Sequence, residues 1–158
     1  MKKTDLAYWA GIFDGEGSIS ICRGPSKSCH TGFRYKLQIA VTSADEWLVQ
    51  ALRMAFGGSI NISASPWSGR PIWRWTLTAH RAMECLELIA PYLHLKREQA
   101  TIAIQFQKTK MIRNHRRAGK GAIRVTDAEY AVEEAQRILL GNMHRKGKRY
   151  APKLESNS

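Results

Sequence analysis

The stretch Trp9-Ala10-Gly11-Ile12-Phe13-Asp14-Gly15-Glu16-Gly17 decides the architecture of this 158-residue chain. It carries small residues at helical spacing and then two carboxylates where the helix is expected to end. The small positions recur every fourth residue along one helix edge: Ala7, Gly11 and Gly15. Two such edges can pack until their backbones nearly touch, which would bring two copies of Asp14 and Glu16 together. Paired carboxylates near a phosphate backbone require a divalent metal ion, although the spacing alone equally allows two turn residues.

The periodicity on either side of this stretch predicts alternating helices and strand pairs. A helix runs from Leu6 to about Phe13, with Thr4 or Asp5 as its N-cap, and Gly15-Glu16-Gly17 is expected to end it. The later elements, in chain order, are strands at 18–23 and 34–42, a helix at 45–56, two strands around a turn at 66–71, a helix from about 80 to 91 and a helix from about 96 to 107. The apolar stripe of the helix at 45–56 is predicted to comprise Trp47, Leu48, Ala51, Leu52 and Phe56.

This order predicts an α+β fold with a four-stranded antiparallel sheet and helices on one of its faces, αββαββα, followed by a C-terminal helix. One side of every strand is apolar and suits packing against helices, while the other carries Ser, Arg, Lys, Gln, Asn and Thr. A solvated sheet face would have the same pattern. We predict one domain over residues 1–140, comprising a core at 5–107, a basic segment at 108–125 and a helix at 126–140, with a basic, flexible tail at 141–158.

Charge selects among the possible partners. The chain has 25 Lys and Arg against 13 Asp and Glu, a formal net charge of +12. An excess of this size favours a polyanion as the partner. A membrane surface is disfavoured, because no apolar stretch approaches a span and no basic amphipathic helix dominates. The basic segment from Lys108 to Arg124 is expected to bind phosphates. The chain has three cysteines, a small and odd number, which favours reduced thiols and an intracellular protein.

The C-terminal helix has clear signals of its own. Thr126-Asp127-Ala128-Glu129 is a capping box, with a hydroxyl at the N-cap and a carboxylate three residues later. Its docking side chains are predicted to be Val132, Ala135, Ile138 and Leu139.

The nine residues from Trp9 to Gly17 resemble the sequence motif of the LAGLIDADG homing endonucleases. Identical residues stand at Ala10, Gly11, Asp14 and Gly17, and Trp9 replaces the leading Leu. The remaining four positions are conservative replacements. The predicted order of helices and strands over residues 5–107 is also that of the family. The resemblance implies a saddle-shaped sheet in the DNA major groove and metal-dependent cleavage of both strands that leaves 3′ overhangs.

The resemblance also implies roles for individual residues. Glu16 matches the family's metal-binding acid and Gly15 would add its carbonyl as a ligand, with Mg²⁺ or Mn²⁺ as cofactor and Ca²⁺ supporting binding without cleavage. Asp14 braces the helix end. Lys96 matches the active-site lysine, although a surface lysine that binds phosphate is the alternative. Ser43 departs from the glutamine that some relatives carry there, which leaves its role open.

A single motif implies a homodimer, because cutting both strands needs two active sites and 158 residues leave no room for a second copy of the fold. The interface is predicted to include Ala7, Ala10, Gly11 and Asp14. A symmetric dimer implies a long, near-palindromic site on double-stranded DNA. The predicted DNA-binding residues are Ser20, Arg23, Arg34, Lys36, Gln38, Asn61, Arg70 and Arg74.

Three alternatives remain open. An RNA-binding intron maturase and a non-cutting DNA-binding regulator share the scaffold, and the intact Glu16 and Lys96 favour the nuclease over both. A basic ribosome-associated domain accounts for the charge and leaves the motif unexplained. An intron-encoded gene in an organelle, a prokaryote or a phage would suit the sequence equally.

Overall fold

The computed structural model describes residues 1–27, 29–117 and 125–146, and the side chains at 116, 117, 145 and 146 are not described. The elements in chain order are α1 (Lys3–Glu16), β1 (Gly17–Pro25), β2 (Phe33–Ser43), α2 (Glu46–Phe56), β3 (Ser59–Ala64), β4 (Pro71–Thr78), α3 (Ala79–Ile89), a 3₁₀ turn (Ala90–Tyr92), α4 (Arg97–Arg117) and α5 (Asp127–Lys146). The predicted α+β order is therefore confirmed. In the described ranges, no helix combines the length and the apolar character that crossing a membrane requires.

The four strands form one antiparallel sheet in the order β1-β2-β4-β3. The register places Ser20 opposite Gln38 and Gln38 opposite Thr78. Because side chains alternate along a strand, this register fixes which residues share a face. One face, called here the polar face, collects Ser18, Ser20, Cys22, Arg34, Lys36, Gln38, Ala40, Thr42, Ile72, Arg74, Thr76, Thr78, Ser59, Asn61 and Ser63.

The opposite face of the sheet forms the core together with the helices. Its fully or nearly fully buried side chains include Phe13, Ile19, Leu37, Ile39, Leu52, Trp75, Leu86, Ile89 and Phe106. Each such side chain contributes about 1.5–3 kcal/mol by leaving water. Trp75 also satisfies its indole N–H, which donates to the carbonyl of Gly57 at 2.6 Å.

Helix α1 is longer than predicted at both ends. It starts at Lys3 and not near Leu6, and the carboxylate of Asp5 accepts the backbone N–H of Lys2 at 3.0 Å. At its other end the helix runs through Gly15 and stops at Glu16. A Cβ at Gly17 would lie 2.5 Å from the Phe13 ring and 2.5 Å from the Phe13 carbonyl, so only glycine fits this exit.

Helix α4 continues ten residues past its predicted end, and several of its basic side chains bind within the chain. Lys108 pairs with Glu87 at 2.7 Å, and Arg113 pairs with Glu133 at 2.8 Å with both side chains more than nine-tenths buried. The Lys110 ammonium donates to the carbonyl of Tyr35. The expected phosphate binding is therefore wrong for the buried Arg113 and the half-buried Lys110. Lys120 and Arg124 lie outside the described residues, as does the tail from 147 onward.

Helix α5 begins with the predicted capping box, since Thr126 Oγ1 accepts the Glu129 N–H at 3.3 Å and Glu129 Oε2 accepts the Thr126 N–H at 2.8 Å. It extends past the predicted end to Lys146. The predicted docking face is wrong, because Val132, Ile138 and Leu139 are about half exposed. The helix docks through side chains that reach backbone carbonyls of the sheet: the Tyr130 hydroxyl donates to Phe33 at 2.8 Å and His144 bonds Ile19 at 2.6 Å.

Two apolar side chains that lie on faces predicted to pack against the core are exposed. Trp47 is 66% exposed, because α2 packs through Val49 and Leu52 and a residue two positions from Val49 lies about 200° around the helix. Ile62 is 61% exposed although it shares the apolar face of the sheet, since β3 is an edge strand.

Candidate active site and nucleic-acid interface

The end of α1 is joined to the segment before α4 by one carboxylate. Asp14 accepts the backbone N–H of His94 at 2.8 Å and that of Lys96 at 3.0 Å, one on each oxygen. The side-chain ammonium of Lys96 donates in turn to the Asp14 carbonyl. These contacts join residues about eighty positions apart in sequence and fix the position of Lys96 next to the end of α1.

The second acid of the stretch, Glu16, takes no part in these contacts. Glu16 is exposed, as is Gly15, and within the described part of the chain no ion pair or hydrogen bond involves the Glu16 carboxylate. It lies close enough to Lys96 for the two charges to interact. Burial lowers the pKa of the Lys96 ammonium, while the charges of Asp14 and Glu16 act in the opposite direction. The exposed Glu16 carboxylate and the half-buried Lys96 ammonium thus lie near one another at the end of α1.

The donor set at this point suits a hard divalent cation. The Glu16 carboxylate and the Gly15 carbonyl are both oxygen donors, the type that Mg²⁺ prefers. Among the described residues, no group of three or more His, Cys, Asp or Glu side chains could enclose an ion. Mg²⁺ typically binds proteins through one or two carboxylates and completes its coordination with water and substrate phosphate.

The polar face begins beside this point, because Gly17 starts β1. It brings together six of the eight predicted DNA-binding residues: Ser20, Arg34, Lys36, Gln38, Asn61 and Arg74. Arg70 lies in the β3–β4 hairpin loop and is exposed. The register also places Thr42, Thr76 and Thr78 on this face, as strand alternation predicts, although the predicted DNA-binding set does not include them.

Arg23 lies on the helix side of the sheet and not, as the predicted DNA-binding set implies, with the other strand residues on the polar face. It pairs across the strands with Tyr35, whose side chain is buried in the core. Its guanidinium stacks over the Phe33 ring at 4.8 Å and reaches Glu134 of α5 at 4.0 Å. The period of two places every odd position of β1 on the helix side, and Arg23 follows that rule.

The small-residue edge of α1 is exposed as the spacing predicts. Ala7, Gly11 and Gly15 are solvent-exposed, and a Cβ placed on Gly11 or Gly15 would meet nothing within 4 Å. Ala10 does not belong to this edge, because its side chain is fully buried inside the single chain. Asp14 is half-buried and engaged by the segment before α4, so its side chain is not part of the edge either.

The family model described as LAGLIDADG endonuclease matches residues 9–112, well over half of the chain. The chain belongs to the LAGLIDADG endonuclease family. Among proteins with curated descriptions, none matches the sequence significantly.

Solved structures of LAGLIDADG proteins have the same fold. The homing endonuclease I-CvuI, in complex with the I-CreI target, aligns with a TM-score of 0.69 and 16% identity over 89% of this chain and 82% of that one. The archaeal intron-encoded homing endonuclease I-Vdi141I, complexed with DNA, aligns with a TM-score of 0.69 and 12% identity over 90% and 86%. The LAGLIDADG homing endonuclease I-SmaMI, bound to cleaved DNA, gives a TM-score of 0.66 and 20% identity, and this chain covers 42% of it.

Two features of this LAGLIDADG site are not predictable from the sequence. The bond from the His94 backbone to Asp14 has no side-chain signal, since any residue at position 94 could supply the N–H. Ser43, to which the sequence assigns no definite role, accepts the Asp45 N–H at 3.0 Å and orders the turn into α2.

Proposed function

We propose that this protein is a site-specific homing endonuclease that makes metal-dependent double-strand cuts with 3′ overhangs in a long, near-palindromic DNA site, acting as a homodimer. The observation that carries the proposal is the exposed Glu16 carboxylate beside Lys96, at the edge of the polar face. A scaffold used only for binding has no need of an open carboxylate there, since an acid repels phosphate.

Phosphodiester hydrolysis builds negative charge on the phosphoryl oxygens and on the leaving oxygen. Glu16 and the Gly15 carbonyl would hold Mg²⁺, which supplies positive charge at the phosphate and a more acidic water. The Lys96 ammonium is held in place by the Asp14 carbonyl and adds a second positive charge against the developing charge on the phosphate. Asp14 positions Lys96 and does not itself contact the substrate.

The metal proposal includes Mn²⁺ as a substitute and Ca²⁺ as an ion that supports binding without cleavage. Structures of I-CvuI on DNA include one with Mg in which the DNA is not cleaved and one with Ca. Those observations concern I-CvuI. For this chain, the choice of ion rests on the all-oxygen donor set of Glu16 and Gly15.

The polar face would bind the DNA. It offers Arg34, Lys36, Gln38, Asn61 and Arg74, which are the side-chain types that pair with base edges and phosphates in the major groove. The formal charge of +12 favours binding to the polyanion.

The homodimer follows from the count of active sites. One chain offers one Glu16, and two strands must be cut. The exposed edge of Ala7, Gly11 and Gly15 would pack against its copy, which brings the two Glu16 carboxylates together. The chain covers most of I-CvuI and 42% of I-SmaMI, as expected for a protein with one copy of the fold.

The test is cleavage of a plasmid library with Mg²⁺ by the wild-type chain, by Glu16→Gln and by the control Glu46→Gln. Glu46 is an exposed acid in the first turn of α2. We expect double-strand breaks at one near-palindromic sequence from the wild type and the control, and loss of cutting in Glu16→Gln. Specific DNA binding without cutting by any of the three would favour the non-cutting regulator, and preference for structured RNA would favour the maturase.

A further inference from the structure

The β3–β4 hairpin carries the most exposed large apolar side chain of the described residues. Trp67 is 95% exposed at the tip of this hairpin. Single exposed apolar residues are common on protein surfaces and need no explanation by themselves. The conformation, the charge and the location of the hairpin indicate a functional role for Trp67.

The loop that carries Trp67 is ordered by its own hydrogen bonds. The Ser65 N–H donates to the Arg70 carbonyl at 2.8 Å, and the Gly69 N–H donates to the Ser65 carbonyl at 2.9 Å. The Ser65 hydroxyl accepts the N–H groups of Trp67 and Ser68, both at 3.4 Å. Gly69 takes a positive φ of 65° that closes the turn. These hydrogen bonds fix the backbone of the loop, and the indole ring lies in solvent, away from the core.

The hairpin lies at the end of the sheet where Glu16 lies. The register sets Gly17 opposite Val41, Ser43 opposite Trp73 and Ala64 opposite Pro71, so the loop extends beyond the row that starts β1. Strand spacings of about 4.8 Å and a rise of about 3.3 Å per residue put the loop roughly 20 Å from Glu16. A duplex laid over the polar face with a scissile phosphate at Glu16 would pass this loop within one helical turn, about 34 Å.

The charge of the hairpin suits a polyanion. Residues 59–78 include Arg70 and Arg74 and no acidic residue. Arg70 is exposed three residues from Trp67, and Arg74 lies on the polar face opposite Asn61. Nucleic-acid-binding surfaces combine apolar or aromatic side chains, which insert at base steps of a duplex or stack on unpaired bases, with arginines that neutralise the phosphates.

We propose that Trp67 is a DNA contact, with its indole packing against the duplex within one helical turn of the cleavage position. The inference rests on the proposed function, because it needs DNA on the polar face. Arg70 supplies the adjacent phosphate contact. The contact adds affinity that depends little on salt, since an indole displaces no counterion.

The test uses a mixed-sequence DNA duplex of about three helical turns at low salt, so that no target sequence is needed. We expect Trp67→Ala to weaken binding about tenfold or more, equivalent to about 1.4 kcal/mol, with an unchanged salt slope. Trp67→Phe keeps a ring and should recover part of that loss. Arg70→Ala should weaken binding and lower the salt slope by about one. Thermal unfolding of Trp67→Ala should match the wild type, because the side chain is exposed.

Fluorescence supplies a readout of the contact itself. The matched control is Trp47→Phe, because Trp47 is also well exposed but lies on α2, on the opposite side of the sheet. DNA should change the tryptophan emission of the wild type and of Trp47→Phe, and the change should be largely absent in Trp67→Phe. Equal affinity and an equal emission change in Trp67→Phe and wild type would overturn the contact and leave the endonuclease proposal intact. A wild-type chain that binds no duplex would overturn both.

Discussion

At the scale of single residues, two acids two positions apart have opposite environments. Asp14 accepts two backbone N–H groups from the segment before α4, so its charge stabilises the fold. Glu16 is exposed and lies in the last turn of α1, where the helix dipole disfavours a negative charge. A residue whose charge does nothing for stability is where a functional role is expected.

This contrast predicts unequal effects of two isosteric substitutions on stability. Asp14→Asn turns one acceptor into an NH₂ group that faces a backbone N–H, and should lower the free energy of unfolding by about 1–3 kcal/mol. Glu16→Gln should change it by less than about 0.5 kcal/mol, because the carboxylate is exposed. Urea denaturation of both variants measures the difference. An equal loss in the two would mean that Glu16 also supports the fold.

At the scale of secondary-structure elements, the alternation along strands separates arginines of one sheet into two roles. Arg74 stands exposed on the polar face, opposite Asn61. Arg23 stands on the helix side, over Phe33 and next to Glu134. Two side chains of the same chemistry therefore have different expected partners.

Arg74→Ala should weaken binding to a short DNA duplex and reduce the slope of log affinity against log salt by about one, because one phosphate or base contact is lost. Arg23→Ala is the matched control and should leave that slope unchanged, with a small loss of stability through α5. Filter binding over a salt series gives both slopes. A smaller salt slope in Arg23→Ala than in Arg74→Ala would indicate that the DNA binds on the helix side of the sheet and would contradict binding on the polar face.

Helix α5 is attached to the sheet partly by the carboxylate of Glu134. A bidentate pair with Arg137, at 2.6 and 2.8 Å, lowers the pKa of Glu134 from its usual 4.5 to about 2, with help from the Tyr35 hydroxyl and Arg23. Because the folded pKa is below the unfolded one, the stabilisation is complete above pH 4.5 and disappears as the pH falls towards 2.

Glu134→Gln should therefore be less stable than wild type at neutral pH, by about 1 kcal/mol given the partial exposure of the pair. The difference between the two proteins should shrink as the pH falls from 4.5 to 2. Urea midpoints of both proteins across this range test it, and Glu46→Gln serves as a control for the loss of an exposed acid. A difference that is constant with pH would show that the charge of Glu134 is not the cause.

At the scale of the whole molecule, the exposed edge of α1 is the surface where two chains are expected to meet. Gly11 lies within this helix, a Cβ added to it would meet no other part of the chain within 4 Å, and glycine there lowers helix stability relative to alanine. Gly141 in α5 has the same open surroundings within a helix. The two glycines are thus matched in the single chain and differ only in the proposed contact.

Gly141→Ala should raise the stability of the monomer by up to about 1 kcal/mol and leave self-association unchanged. Gly11→Ala should weaken self-association about tenfold or more, because two added methyl groups would separate the paired helices. Sedimentation equilibrium over a concentration series measures both. A wild-type chain that stays monomeric on DNA as well as alone would contradict the homodimer.

The sequence by itself determined the order of the elements, the two faces of the sheet and the identity of the acidic motif. These depend on local periodicity: alternation in β1 and β2, the capping box at Thr126 and Glu129, and small residues every fourth position in α1. Such patterns are set by backbone geometry, which a short window of sequence already contains.

Only the tertiary structure decided which polar groups are already bound within the chain. In the structure Asp14 accepts the backbone N–H groups of His94 and Lys96, and Arg113 pairs with Glu133. Arg23 lies on the α5 side of the sheet. Helices α1 and α4 also extend beyond their predicted ends. The physical reason is the same for each of these charged side chains. From the sequence alone a charged side chain is expected to be solvated, and only the folded structure shows that a partner from far along the chain binds it inside the protein.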